Sequence, residues 1–369
     1  MAEDPLRSPV LVGRAARLRG GFWQERVLAR DRSGASLARF ERVALVLSGG
    51  GALGAYQAGA YAALEKCGVR PNWIAGTAIG AINAAIIAGN PPHERASQLR
   101  RFWQEIGRWA RRSWRGGGGS AAPRGWRALR RLPLALTPPE PVVAAPELRR
   151  LIGEVVDFDR VNSGNVRVVL GAMNLATGTE TLFDNDRLVL GLDHVLAGSP
   201  LPGSPGVKIG GDLFGGSAVS VSALDGARPA DTLCFAIDGY DPAPGGHGGT
   251  SRMSREIAAM RRACDLRRMI ALLGERLPAA ARAETDIRRC LAEASMATMT
   301  ILHLVHEDCA VDLAAKMNDF SSPAVTRRWQ AGETDAAMSL ADPRWLAPPP
   351  RLSGVVVHEV RGGAAASPN

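Results

Sequence analysis

The chain has 369 residues, 46% hydrophobic and 22% charged, which is a globular composition large enough for one substantial core and excludes disordered and fibrous classes. Its 45 basic and 36 acidic residues give a net charge of +9, and every basic residue except Lys66, Lys208 and Lys316 is arginine. That charge suits an anionic surface, either lipid headgroups or nucleic acid, although a general arginine and alanine richness produces the same excess, and no basic motif interleaved with aromatics points to nucleic acid.

Residues 1–41 read as a polar, arginine-rich arm, with Phe22 and Trp23 its main apolar feature. No stretch there has the apolar core of a signal peptide, and no run anywhere reaches the roughly 18 apolar residues of a membrane span. A cytoplasmic protein, peripheral at a lipid surface at most, is therefore expected. The five cysteines, Cys67, Cys234, Cys264, Cys290 and Cys309, are odd in number and widely spaced. They read as thiols in a reducing compartment, with neither bridges nor a metal set.

From Val43 to Ala88 the pattern is strand, turn, helix, strand, turn, helix. Val43–Leu47 is a continuous apolar run, as in a buried parallel strand. Ser48, Gly49, Gly50 and Gly51 break it, and from Ala52 the spacing of Leu53, Tyr56, Tyr61 and Leu64 is helical, with Gly68 placed as a C-terminal cap. Trp73–Ala75 is a second strand, Gly76–Gly80 a turn, and Ala81–Ala88 a second helix. Two glycine-rich turns at the ends of neighbouring strands, each opening a helix, gather unpaired backbone N–H groups and helix-dipole charge into a site for negative charge. The second turn has the frame of a nucleophile elbow, G-x-S-x-G, but its central residue is Ala78, which has no hydroxyl. Gly49, Gly51 and Gly54 also satisfy the dinucleotide pattern G-x-G-x-x-G, yet the second strand ends Trp73-Ile74-Ala75-Gly76 without the acidic residue that a dinucleotide site needs.

Further along, His93–Arg112 is an amphipathic helix with Leu99, Phe102, Trp103, Ile106 and Trp109 on one face, read as packed on the sheet. A glycine-rich stretch from Arg115 to Pro123 and a proline-rich one from Pro133 to Pro146 follow, then a helix over Glu147–Val156. Val166–Asn174 and Glu180–Phe183 form a hairpin, Asp193–Ala197 is helical, Thr232–Ile237 is a buried strand and Ser251–Leu277 a long helix. Met296–Val305 is strand-like and carries His303, with His306 just beyond; no third metal ligand is nearby, so no metal or cofactor is expected. Ser322 and Pro323 read as N-cap and first residue of a last helix.

The motif GGGALGAYQAG at Gly49–Gly59, with the elbow around Ala78, resembles the patatin-like lipid acyl hydrolases of bacteria. The likeness extends through Val168–Asn185, Asp193–Phe214 and Trp329–Leu346. It implies an α/β fold of three layers, with a mostly parallel central sheet flanked by helices. It also implies ester hydrolysis by a Ser-Asp dyad, with an oxyanion hole in the first turn. Carried onto this chain, the oxyanion donors are the N–H groups of Gly50, Gly51, Ala52 and Ile79, framed by Gly49, Gly54, Gly76 and Gly80. The nucleophile position holds Ala78. The Asp-Gly-Gly of the dyad falls on Gly215, Gly216 and Ser217, one residue short, so the dyad Asp position holds Gly215. Asp212 and Asp225 are the nearest acids, and only Asp225 has the Asp-Gly-Ala context. Ser48 lies on the other turn without an elbow.

The expected organisation is a basic arm (1–41), a patatin-like domain (42–250), a helical C-terminal extension packed on it (251–360) and a tail (361–369). The expected function is acyl-lipid or partner binding by a chain that has lost hydrolysis. The alternatives are a hydrolase using displaced residues and a basic module that binds no lipid.

Overall fold

The computed structural model describes residues 37–115, 145–198, 206–216, 221–224, 229–239, 252–306, 313–361 and 364–365. The arm over residues 1–36, most of the glycine- and proline-rich stretches, Asp225 and Cys309 lie outside the described residues.

The chain opens β1 (Arg42–Leu47), α1 (Gly54–Lys66), β2 (Trp73–Thr77), α2 (Ile79–Ala88) and α3 (Arg95–Arg115). Next come α4 (Ala145–Val155), α5 (Phe158–Val161), the hairpin β3 (Arg167–Met173) and β4 (Glu180–Asp184), and α6 (Leu192–Ala197). A small separate hairpin, β5 (Val207–Ile209) with β6 (Asp212–Phe214), precedes β7 (Thr232–Asp238). The C-terminal third supplies α7 (Arg252–Gly274), α8 (Ala279–Ala283), α9 (Thr285–Ala292), β8 (Met299–Val305), α10 (Leu313–Asn318), α11 (Ser322–Ala341), β9 (Val355–Arg361) and β10 (Ala364–Ala365).

Eight strands form one sheet in the order β10-β9-β8-β7-β1-β2-β3-β4. The six from β9 to β3 run parallel, and β4 and β10 pair antiparallel at the two edges. Alternation along β1 divides the core between the two faces of the sheet. Val43, Leu45 and Leu47 join the larger cluster with Tyr56, Tyr61, Ile82, Phe102 and Trp103, while Ala44 and Val46 join Cys234, Met253, Ile257 and Met260 under α7. Helices therefore cover both faces, and the three-layer, mostly parallel α/β architecture is observed. α1 is buried throughout Gly54–Leu64 because it lies between the sheet and other helices. It ends in a Schellman turn, Gly68 at φ 79° with its N–H on the Glu65 carbonyl and the Val69 N–H on that of Leu64.

Three expectations need adjustment. α3 buries Leu99, Phe102, Trp103 and Ile106, and it packs on the helices α1, α2, α4 and α11. The N-cap of α11 is Ser321, one residue earlier than expected. Residues 251–360 form more than a helical extension, since β8 and β9 belong to the central sheet itself. Among the described residues no helix is long and apolar enough to cross a membrane.

Candidate active site

The two glycine-rich turns meet at the carboxyl ends of β1 and β2. β1 is where the sheet order reverses, with β2 on one side and β7 on the other, the place where open parallel sheets form a ligand crevice. After Leu47 the backbone passes through Gly50 at φ 137° and Gly51 at φ 57°, conformations that favour glycine, before the helical turn at Gly51–Leu53. After Thr77 it passes through Ala78 at φ 51°, ψ −125°, and α2 begins at Ile79. Ala78 is the only non-glycine residue with positive φ among the described residues. The elbow geometry is therefore present although the side chain is a methyl group.

The glycines around the elbow are required by contact. A Cβ on Gly76 would overlap the Gly80 carbonyl, and one on Gly80 would overlap that of Leu47, so the elbow packs directly on the end of β1. A Cβ on Gly54 would lie 2.6 Å from Cγ1 of Ile79, and one on Gly49 3.4 Å from Cβ of Ala78, which places the two turns side by side. Gly51 is covered by the backbone carbonyl of Met317 in α10.

Gly215 directly follows β6. Its N–H donates to the Met173 carbonyl (3.0 Å), and the Met173 N–H donates to Gly216 (2.7 Å). Met173 is two residues beyond Gly171, which pairs with Thr77, so Gly215 sits at the carboxyl end of the strand next to the elbow. Among the described residues, the three atoms nearest a Cβ there all belong to the Leu175 side chain, at 3.3–3.7 Å. Asp212 opens β6, opposite Ile209.

A buried polar chain, which the sequence reading missed, ties the first turn to three helices. Gln57 Nε2 donates to the Ser48 carbonyl (2.6 Å). Asn83 Nδ2 donates to the Gly54 carbonyl (3.0 Å) and to Gln57 Oε1 (3.1 Å). Trp103 Nε1 donates to Asn83 Oδ1 (3.1 Å). The available signal was a single amide in each of two otherwise apolar helical runs, since a buried amide must find partners.

Across the β1–β7 crevice, Ser48 Oγ donates to Asp238 Oδ1 (3.0 Å) and accepts from the Gly239 N–H (3.2 Å), with Asp238 only 5% exposed. His303 lies within β8, its Nε2 4.0 Å from Asp238, and His306 follows the strand and stacks on Tyr56 with ring centroids 4.7 Å apart. The Tyr56 hydroxyl donates to Asp335 (2.9 Å), and burial together with the nearby Asp335 and Asp238 pushes its pKa well above the usual phenol value. Among the described residues no group of three or more His, Cys, Asp or Glu side chains could hold a metal ion.

A family profile described as patatin-like phospholipase matches residues 45–232, and a second, described as patatin phospholipase, matches residues 250–352. Solved structures with similarity include VipD from Legionella pneumophila, at TM-score 0.39 and 12% identity, covering 84% of this chain and 69% of that one. They also include ExoU of the Pseudomonas aeruginosa type III secretion system in complex with SpcU, once at TM-score 0.28 and 20% identity (56% of this chain, 46% of that one) and once at TM-score 0.33 and 14% identity (83% and 52%). The chain spans about half the length of the ExoU chains it matches. No curated protein matches it. The profile over residues 45–232 takes in both turns, the β5–β6 hairpin and half of the chain; the chain belongs to the patatin-like phospholipase family.

Proposed function

We propose that this chain keeps the ligand-holding half of a patatin-like site and has lost the hydrolytic half, so that it binds acyl lipid at the paired turns without cleaving it. The observation that carries this reading is Ala78, a methyl group on an intact, strained elbow. In a Ser-Asp hydrolase the carboxylate takes the hydroxyl proton, the oxygen attacks the ester carbonyl, and backbone N–H groups hold the oxyanion. Here the N–H groups of Gly50, Gly51, Ala52 and Ile79 are the donors in question. The nucleophile position is Ala78 and the base position Gly215. Losing such a pair lowers turnover by a factor on the order of 10⁶, leaving roughly 10³–10⁴ over water from the oxyanion donors and binding.

The test is turnover of a short-chain p-nitrophenyl ester, with fluorophosphonate labelling, by the native chain and by Ala78→Ser combined with Gly215→Asp. The atoms nearest a new Cβ at Gly215 are those of the flexible Leu175 side chain, with no backbone atom among the nearest three. The expected result is a silent native chain and at least about a hundredfold gain in the double variant. Native turnover that fluorophosphonate abolishes overturns the reading.

One observation favours a second reading, hydrolysis by displaced residues: the hydrogen bond from Ser48 to Asp238 is a hydroxyl–carboxylate pair beside the first turn. Ser48 ranks below because its oxygen is also held by the Gly239 N–H and stands on no elbow. Loss of native turnover in Ser48→Ala, with retention in Ser48→Cys as a thiol-labelled species, is the result that would establish it.

A further inference from the structure

The helix α7 is apolar on two opposite faces. Its inner stripe, Met253, Ile257, Met260 and Cys264, packs on the sheet. At about 100° per residue, Arg255, Arg262, Leu266, Met269 and Leu273 fall within about 60° of one another on the opposite side. Leu266, Met269 and Leu273 are 54%, 39% and 65% exposed. Arg268, on the flank between this stripe and the inner one, donates to the carbonyls of Met296 and Arg351 and so ties that flank to the neighbouring segments. Three of the ten large apolar side chains that stand exposed among the described residues therefore line one stripe in the second half of one helix.

An exposed apolar stripe of this kind marks an interaction surface. Its charge indicates the occupant. The outer stripe carries two arginines and no acid, and neither Arg255 nor Arg262 makes an ion pair among the described residues. Residues 252–296 hold ten arginines against six acids. An apolar stripe flanked by uncompensated guanidinium groups, whose stems can lie along apolar material while their heads reach phosphate, fits an anionic bilayer surface.

We infer that the outer face of α7 docks on anionic membranes, with Leu266, Met269 and Leu273 inserted at the headgroup–acyl boundary and Arg255 and Arg262 on the phosphates. α7 leads from the carboxyl end of β7 back to the start of β8 and lies across the sheet face, so this surface is separate from the elbow. The inference stands whether or not the elbow binds lipid.

The experiment is copelleting of the full chain with phosphatidylcholine vesicles, with and without phosphatidylglycerol. Binding is expected only with the anionic lipid, and it should fall at least about tenfold in Leu266→Glu with Leu273→Glu and in Arg255→Glu with Arg262→Glu. Met338→Glu, at an exposed methionine of α11, should bind like the native chain. All these side chains face solvent, so unchanged far-ultraviolet circular dichroism and thermal midpoints are expected and separate lost docking from lost folding. Equal binding to neutral vesicles, or full binding by both double variants, overturns the inference. So does a dimer in solution that Leu273→Glu disperses while anionic vesicles are ignored, since the face would then belong to a second copy.

Discussion

Ala78 holds a backbone that alanine rarely adopts. At φ 51°, ψ −125° the strain is on the order of 1–3 kcal/mol, a load that a catalytic elbow repays by aiming a nucleophile and that a methyl group does not. Glycine relieves it at an unfolded-state entropy cost of about 0.4–1 kcal/mol. Ala78→Gly should therefore stabilise the chain by about 1 kcal/mol, seen as a higher urea midpoint at unchanged slope. A lower midpoint would mean that packing against Gly49 depends on the methyl group. Cys234 is the other residue with a measurable signature. Burial in the middle of β7 pushes its thiol up to about 12 from an ordinary value near 9. The folded chain keeps a proton that the unfolded chain releases, so this contribution is complete below about pH 9 and is lost as pH rises toward 12, at up to about 1.4 kcal/mol per unit. Cys234→Ala should be less stable than the native chain at about pH 8 because of its cavity, and the difference should shrink by about pH 10.5. The buried phenols of Tyr56 and Tyr61 titrate in both proteins and cancel. A gap that does not shrink would show that the thiol proton is not linked to folding.

At the scale of elements, α1 and α11 cross with backbone touching backbone. A Cβ on Gly59 would overlap the Trp329 carbonyl, and a Cβ on Gly332 would overlap that of Tyr56, so each helix offers a glycine to the other. The hydrogen bond from Tyr56 to Asp335 spans the same crossing. Gly59 is the last residue of the first motif, and in the sequence it falls within the helical run that begins at Ala52, with no role of its own marked. In the structure its role is helix packing, which holds the helix behind the first glycine-rich turn against the C-terminal third of the chain. Either Gly59→Ala or Gly332→Ala should cost about 3 kcal/mol or more, because the clash is with backbone and the helices must separate. Gly153→Ala in α4, where nothing lies within 4 Å of the new methyl group, should instead be neutral or stabilising by up to about 1 kcal/mol through helix propensity. Urea unfolding of the three variants decides it, and equal effects at all three sites would remove the packing argument.

For the molecule as a whole, what was legible in the sequence was what has a local signature. β1, β2, β3 and β7 are short apolar runs, and the elbow declares itself by glycines at fixed offsets, whatever residue stands at its centre. The Gln57–Asn83–Trp103 chain was not legible, because its partners come from three helices and are joined only by packing. The membership of β8 and β9 in the main sheet was not legible either. Their neighbours are set by pairing between distant segments, Cys234 with Ile301 and Ile301 with Val357, and no local pattern contains that register. The stretch matched by the first family profile ends at residue 232, where β7 begins, yet β7 has β1 on one side and β8 on the other. Cutting the chain after residue 250 would leave β7 an open apolar edge, remove α11 from α1 and uncover the inner face of the sheet beneath α7. The full chain should unfold in one cooperative urea transition, with circular dichroism and tryptophan fluorescence coincident, whereas residues 37–250 should show no sigmoidal transition and should aggregate. A cooperative transition with native-like helix content in the truncated chain would make residues 251–361 a separable unit. It would also mean that the site at the ends of β1 and β2 does not need the strands that complete its sheet.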